Sequence, residues 1–301
     1  MEIRLGTITI SDTDEQTIFF GDFLDQEKLD NFHNNVSSLE RFKLHSELYS
    51  IFIINFVELS QFFQDTVDNL TKKQIQSLRS NIPEFRMINR NANRLLFNLL
   101  SSGRTLIDHQ ETYLKKRYGK DSEEVSQYKK VTNEVYDSSF EYRFIYKLRN
   151  YAQHCGFPIG HFEFEAKNKR DGDRLDINTR LNPLFKRDEL LHNFDAWGQR
   201  VKEDLKNQPK EFPVMWTVGE YYKSVGIINE EFEKIELKEM LKPIEELKEL
   251  LSKFENITEN MEPCVFYDFE YSIPNTYENS KFTHQPIPLD LITEIESRFK
   301  N

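Results

Sequence analysis

The stretch FIYKLRNYAQHCGFPIG, residues 144–160, is where the chain changes period. Up to Tyr151 its aromatic and aliphatic residues read as the end of an apolar helix. Gly156 and Pro158 stop that helix, because glycine accepts the left-handed cap and proline cannot continue the hydrogen-bond ladder. Immediately beyond, HFEFEAKNKRDGDRLDINTRL (161–181) alternates about RDGD, a hairpin signal. Just before the stop stand Arg149, Asn150 and His154, a charged fork, an amide and an imidazole in a segment otherwise dense in aromatics.

Working back from this point, SLERFKLHSELYSIFIINFVELSQFFQDTVDNL (38–70) has no Gly or Pro and repeats Leu39, Phe42, Leu48, Phe52 and Phe56 at helical spacing. Thr71 can cap a short helix in KKQIQSLRS. Pro83 suits the start of a long helix that runs to Gly119 through Gly103. One further helix is expected from Asp121 or Ser122 to Cys155, with acids in its first turn. At the N-terminus, EIRLGTITIS and QTIFFGDF flank the polar DTDE as a hairpin. Beyond 181 come a helix in KRDELLHNFDAWGQRVKEDL, a charged amphipathic helix over 230–254 interrupted by Pro243, a strand in CVFYDFEY and a last helix in LDLITEIESRF. The expectation is a mainly α fold with small β-hairpin additions at the N-terminus and around 160–181. Its divisions are 1–37 (hairpin and lead-in), 38–160 (helical bundle) and 161–301 (hairpin plus helical extension packed on the same body).

Composition supports a folded chain. Of 301 residues, 25 are Phe and 13 Tyr, enough large side chains for a sizeable core although 30% of residues are charged. The 2 cysteines, Cys155 and Cys264, make neither a disulfide framework nor a zinc-binding pair, and no metal or cofactor is expected. The start EIRLGTITISD lacks the basic and apolar regions of a signal sequence. IFIINFV (51–57) is far too short to span a bilayer, so a cytoplasmic protein without membrane association is expected. The net charge of −11 argues against a simple nucleic-acid coat. The charge is uneven, however: 143–187 holds ten Lys/Arg against five acids, net +5, and 220–262 holds six Lys against twelve Glu, net −6. Both can be solvated faces, or the first can be a local basic site on an acidic body.

The polar end of the 144–158 helix carries the chemistry. Histidine exchanges protons near neutrality, and the planar guanidinium of arginine matches phosphate. Together they suit phosphodiester cleavage without a metal, with His154 moving protons and Arg149 neutralising charge at phosphorus. Asn150 and His154 are i and i+4, on one helix face, so Asn150 can orient the imidazole or the substrate. Arg149 lies about 140° from His154 round a helix, so one copy does not aim both groups well at a single point. The spacing of Arg, four residues, His is expected ~0.4 times by chance with the 16 Arg and 7 His of the chain, and it occurs three times. In RTLIDH (104–109) ion pairing is the simpler reading, and RDELLH (187–192) looks like a helix start with acids in its first turn. Only RNYAQH (149–154) sits at a helix stop inside the basic window.

LRNYAQHCGFPI resembles the Arg-(Asn/Asp/His)-x-x-x-His signature of HEPN domains, and CGFPI resembles bacterial HEPN-like proteins. HEPN domains are helical nucleotide- and RNA-binding domains, many of them metal-independent endoribonucleases of toxin, antiphage and RNA-processing systems. The resemblance covers roughly 38–160. It implies Arg149, Asn150 and His154 as motif residues and a 2′,3′-cyclic phosphate and a 5′-hydroxyl as products. It also implies a homodimer in which two motifs meet, which repairs the 140° geometry, through the 144–158 helix. An antitoxin or regulatory protein is a further partner of such systems. A non-catalytic module binding RNA, a nucleotide or a protein remains the alternative, since not every HEPN domain is catalytic.

Candidate RNA contacts are Arg143 and Lys147 beside the motif and the i, i+4, i+8 stripe Arg86, Arg90 and Arg94. For the stripe, a solvated helix face opposite Leu95, Leu96 and Leu99 is the simpler reading. Tyr142, Phe144, Tyr146 and Tyr151 suit core packing better than base stacking.

Overall fold

The computed structural model describes residues 2–11, 16–72, 82–171, 174–255, 257–273, 277 and 280–299, with side chains left undescribed over 68–72, 82–84, 164–171 and 174–180. The molecule is mainly α-helical with small antiparallel sheets. Among the described residues no helix is long and apolar enough to cross a membrane.

The chain forms two compact units, one of residues 1–44 with 234–301 and one of 45–233. The divisions expected at 37 and 160 do not follow them. Strand β1 (Arg4–Ile10) pairs on one side with β2 (Gln16–Phe23) and on the other with β6 (Met261–Glu270), with Leu5 opposite Val265. The N-terminal hairpin is therefore half of a four-stranded sheet of order β2-β1-β6-β7, with β7 (Lys281–Pro286) on the far edge. One face of that sheet joins Leu29, Phe32, Val36 and Leu39 of α1 (Gln26–Lys72), Met240, Ile244 and Leu247 of α7 (Val214–Leu251) and Ile292 and Ile295 of α8 (Leu289–Arg298) in one core.

Helix α1 starts twelve residues earlier than the Ser38 start expected. Asp25 caps it, its Oδ1 accepting from the Lys28 N–H at 2.8 Å, and Leu29 and Phe32 already bury a face. Helix α7 likewise runs from Val214 and not from 230, and it continues through Pro243. The short helix expected in KKQIQSLRS lies largely outside the described residues, as does the turn of the hairpin made by β3 (Ile159–Asp171) and β4 (Arg174–Lys186).

Unit 45–233 holds α2 (Ile82–Tyr118), with Pro83 in its first turn where a helix start was expected, α3 (Glu123–Ser138) and α4 (Phe140–His154). A single helix was expected over 122–155. Ser139 divides it, because its hydroxyl accepts from the Tyr142 N–H at 3.0 Å and caps a new helix. The helix expected over 186–205 is also two, α5 (Arg187–Asn193) and α6 (Gln199–Asn207), and a short strand, β5 (Glu211–Pro213), adds to β4.

Candidate active site

Helix α4 is held by aromatic packing on two sides. Phe144 meets Trp197, Phe185 and Phe212 at ring distances of 5.6, 5.3 and 5.5 Å, and Tyr151 stacks on Trp197 at 5.8 Å. On another face Tyr142 stacks on Tyr221 at 5.8 Å, and burial pushes both phenols well above their ordinary range. Tyr142, Phe144 and Tyr151 are thus core residues, as their spacing indicates.

What remains outside is the last turn. Arg149 and Asn150 are half-buried, and Gln153, His154, Cys155 and Phe157 are exposed. The helix closes with the Cys155 N–H on the Tyr151 carbonyl at 2.8 Å. Gly156 follows at φ +133°, a conformation side chains resist, so the stop read from the sequence is where the chain leaves the helix. Beyond it Phe157 rests against Phe97 of α2 at 6.0 Å, and Pro158 is buried. The fully buried Asn93 then grips Ile159 at two points: its Oδ1 accepts from the Ile159 N–H at 3.0 Å and its Nδ2 donates to the Ile159 carbonyl at 2.9 Å. The same Nδ2 is 2.9 Å from the Asn89 carbonyl, so the grip is itself anchored on α2.

The arginines separate by partner. Arg143 is only 5% exposed, and its Nε and Nη2 lie 3.0 and 2.9 Å from Asp204 of α6. Its Nη1 donates to the carbonyls of Tyr136 and Asp137 at the end of α3. This corrects the expectation of Arg143 as an RNA contact: the side chain ties the α3–α4 corner to α6. Arg104 pairs with Asp108 at 2.7 Å and lies over Tyr146, the ion pairing anticipated for RTLIDH. In RDELLH, Arg187 donates to Asp188 and to the Gln208 carbonyl. Arg149 has no hydrogen-bond or ion-pair partner among the described residues, and its Nε is buried without one. The side chains of Asn150 and His154 make no polar contact among the described residues either. Lys147 is half-buried with its Nζ 5.9 Å from the Tyr146 ring centre, and Arg86, Arg90 and Arg94 are exposed along α2.

The structure thus leaves Arg149, Asn150 and His154 together on one helix end. It does not bring Arg149 and His154 to one point, since the regular helix keeps them about 140° apart. Tyr142 to Ile145, Leu148 and Tyr151 of α4 are buried, so the last turn from Asn150 to His154 is its most open part. Sequence reading missed Asn93, whose signal is slight in NRNANR, and Asp204, which is 61 residues from its partner. It also missed Phe157, an exposed aromatic three residues past the histidine. Comparison with protein-family models, with characterised proteins and with solved structures finds no match.

Proposed function

We propose that the protein is a HEPN-type endoribonuclease that cleaves RNA without a metal, by attack of a ribose 2′-hydroxyl on the adjacent phosphorus. The new bond joins O2′ to phosphorus and the P–O5′ bond breaks, giving a 2′,3′-cyclic phosphate and a 5′-hydroxyl. His154 takes the 2′ proton, and the His154 of a second copy, protonated beforehand, returns one to O5′. Arg149 neutralises the charge that develops on the phosphoryl oxygens, and Asn150, one turn before His154, orients the imidazole or the scissile phosphate. Lys147 and the stripe Arg86, Arg90 and Arg94 contact the backbone on either side of the cut.

One observation carries this reading. Arg104 and Arg143 are paired with the carboxylates of Asp108 and Asp204, whereas the half-buried Arg149 has no anionic partner among the described residues. An unpartnered buried donor is costly and calls for an explanation, and an anionic substrate supplies one. The second copy enters because 140° on one helix places the two groups badly, and two-fold pairing of the α4 ends brings two arginines and two histidines round one cleft.

The test is incubation of the purified protein with total RNA in EDTA. Expected are fragments ending in cyclic phosphate, and a fall in rate of at least 10²-fold in His154→Ala and Arg149→Ala. Cleavage by His154→Ala at the wild-type rate would refute the catalytic role. RNA binding with no cleavage by the wild type, also as a dimer, would select the non-catalytic module instead.

A further inference from the structure

Phe157 is 57% exposed, yet the chain on both sides of it is fixed. Gly156 before it holds a left-handed conformation, Pro158 after it is buried, and Ile159 is doubly bonded by Asn93. The ring itself meets Phe97 at 6.0 Å and 45°, and more than half of the residue stays exposed. Three residues of chain keep its Cα within about 10 Å of that of His154.

The chain from Phe157 then runs along α2. Phe157 meets Phe97, Ile159 meets Asn93 and Phe162 meets Phe85 at 5.4 Å, so successive contacts step down the helix. At 100° per residue, Arg86, Arg90 and Arg94 lie about 20°, 60° and 100° from Asn93 round α2, and Phe97 about 40°, all to the same side. The exposed arginine stripe is therefore on the side of α2 that carries Phe157. Its members are about 6 Å apart along the axis, and none has a carboxylate partner among the described residues.

We infer that Phe157 is a base-stacking platform and that Arg94, Arg90 and Arg86 form a phosphate track leading away from it, so that the molecule takes single-stranded RNA along α2 with the base beside the cut stacked on Phe157. This rests on the reading of the protein as an RNA enzyme and adds to it the form of the substrate and its path. Stacking needs an unpaired base, and an aromatic face with a flanking basic groove is how single strands are held without sequence preference. An exposed phenylalanine followed along α2 by three arginines without a carboxylate partner among the described residues matches a polyanion with flat bases.

The experiment measures binding of a fluorescent 12-residue 2′-O-methyl RNA, which lacks the attacking hydroxyl and so stays intact, to full-length protein. Phe157→Ala and Phe157→Leu are expected to weaken binding roughly tenfold or more, and Phe157→Trp to keep it, because an aromatic face and not apolar bulk is needed. Arg90→Ala/Arg94→Ala is expected to weaken binding and to flatten its salt dependence. A duplex of the same sequence should compete poorly. If wild type binds and Phe157→Ala binds within twofold, the platform is wrong and the RNA reading survives. If the wild type binds no RNA, both fall. If Phe157→Ala loses RNA only because light scattering shows a lost dimer, the ring is a protein contact and the inference is overturned.

Discussion

Two arginines six residues apart on α4 have opposite fates, and side-chain partners decide which. Arg143 is locked to Asp204 and to two carbonyls, so removing it strands a part-buried carboxylate and two helix-end acceptors. Arg143→Ala is expected to cost about 3 kcal/mol in urea unfolding. Arg149 has no such partner, so Arg149→Met should leave stability unchanged or raise it by up to about 1 kcal/mol while removing cleavage. A loss of stability from Arg149→Met as large as that from Arg143→Ala would mean that Arg149 is structural too. The sequence marks both residues alike, as cations in an apolar helix, because the carboxylate that tells them apart is remote in the chain. The cysteines differ in the same way. Cys264 is buried and its thiol is pushed up to about 12, while Cys155 is exposed beside His154. A thiol reagent at pH 8 should therefore modify one cysteine quickly, and mass mapping should place the adduct on Cys155.

At the scale of elements, the middles of the long helices were legible from their periodic apolar residues, and two ends, at Pro83 and Gly156, through backbone chemistry, but the first twelve residues of α1 and residues 214–229 of α7 were missed although they bury a face. Boundaries set by one hydroxyl or carboxylate were not legible. Ser139 and Asp25 act through single hydrogen bonds to amides three residues on, and serine and aspartate occur at many places that cap nothing. Strand β7 was illegible for another reason: KFTHQP is a short edge strand, and only its pairing with β6 makes it one. Asn93 joins α2 to the start of β3 by substituting for a neighbouring strand. Asn93→Ala should cost about 2–3 kcal/mol and accelerate hydrogen exchange at the Ile159 amide, whereas unchanged exchange there would remove its positioning role. Gly103 looks like a weak point in α2, but a Cβ there would lie 2.4 Å from the Tyr221 hydroxyl and 3.1 Å from the Phe52 ring. Gly103→Ala should therefore destabilise by about 1–3 kcal/mol despite the better helix propensity of alanine. Tyr128, Tyr142 and Tyr221 are buried in the same unit with raised pKa values. Their folded forms hold protons that the unfolded chain releases near pH 10, so these three groups add no pH dependence below that pH and make stability fall as pH rises above it, read as a declining melting temperature.

At the scale of the whole molecule, an acidic chain of net charge −11 keeps its candidate nucleic-acid surface local, with the three stripe arginines on one helix. If those three make the backbone contacts, the logarithm of the RNA association constant should fall with the logarithm of salt at a slope of about −2. A slope near zero would leave the stripe as a solvated face. The division into units was hidden from a linear reading because one unit is assembled from both ends of the chain, and no local pattern announces that Leu5 will lie opposite Val265. That arrangement also sets an order of events on the ribosome. The β1–β2 hairpin emerges before 261–270, so Leu5 gains its neighbour Val265 only when that strand has been made. At 5–20 residues per second that is a wait of roughly 10–50 s. Throughout it a nascent hairpin carrying Phe19, Phe20 and Phe23 stands with one edge and one apolar face bare. The bundle of 45–233 can be complete by then, so translation speed and chaperone supply should govern the yield of the sheet unit far more than that of the helical one.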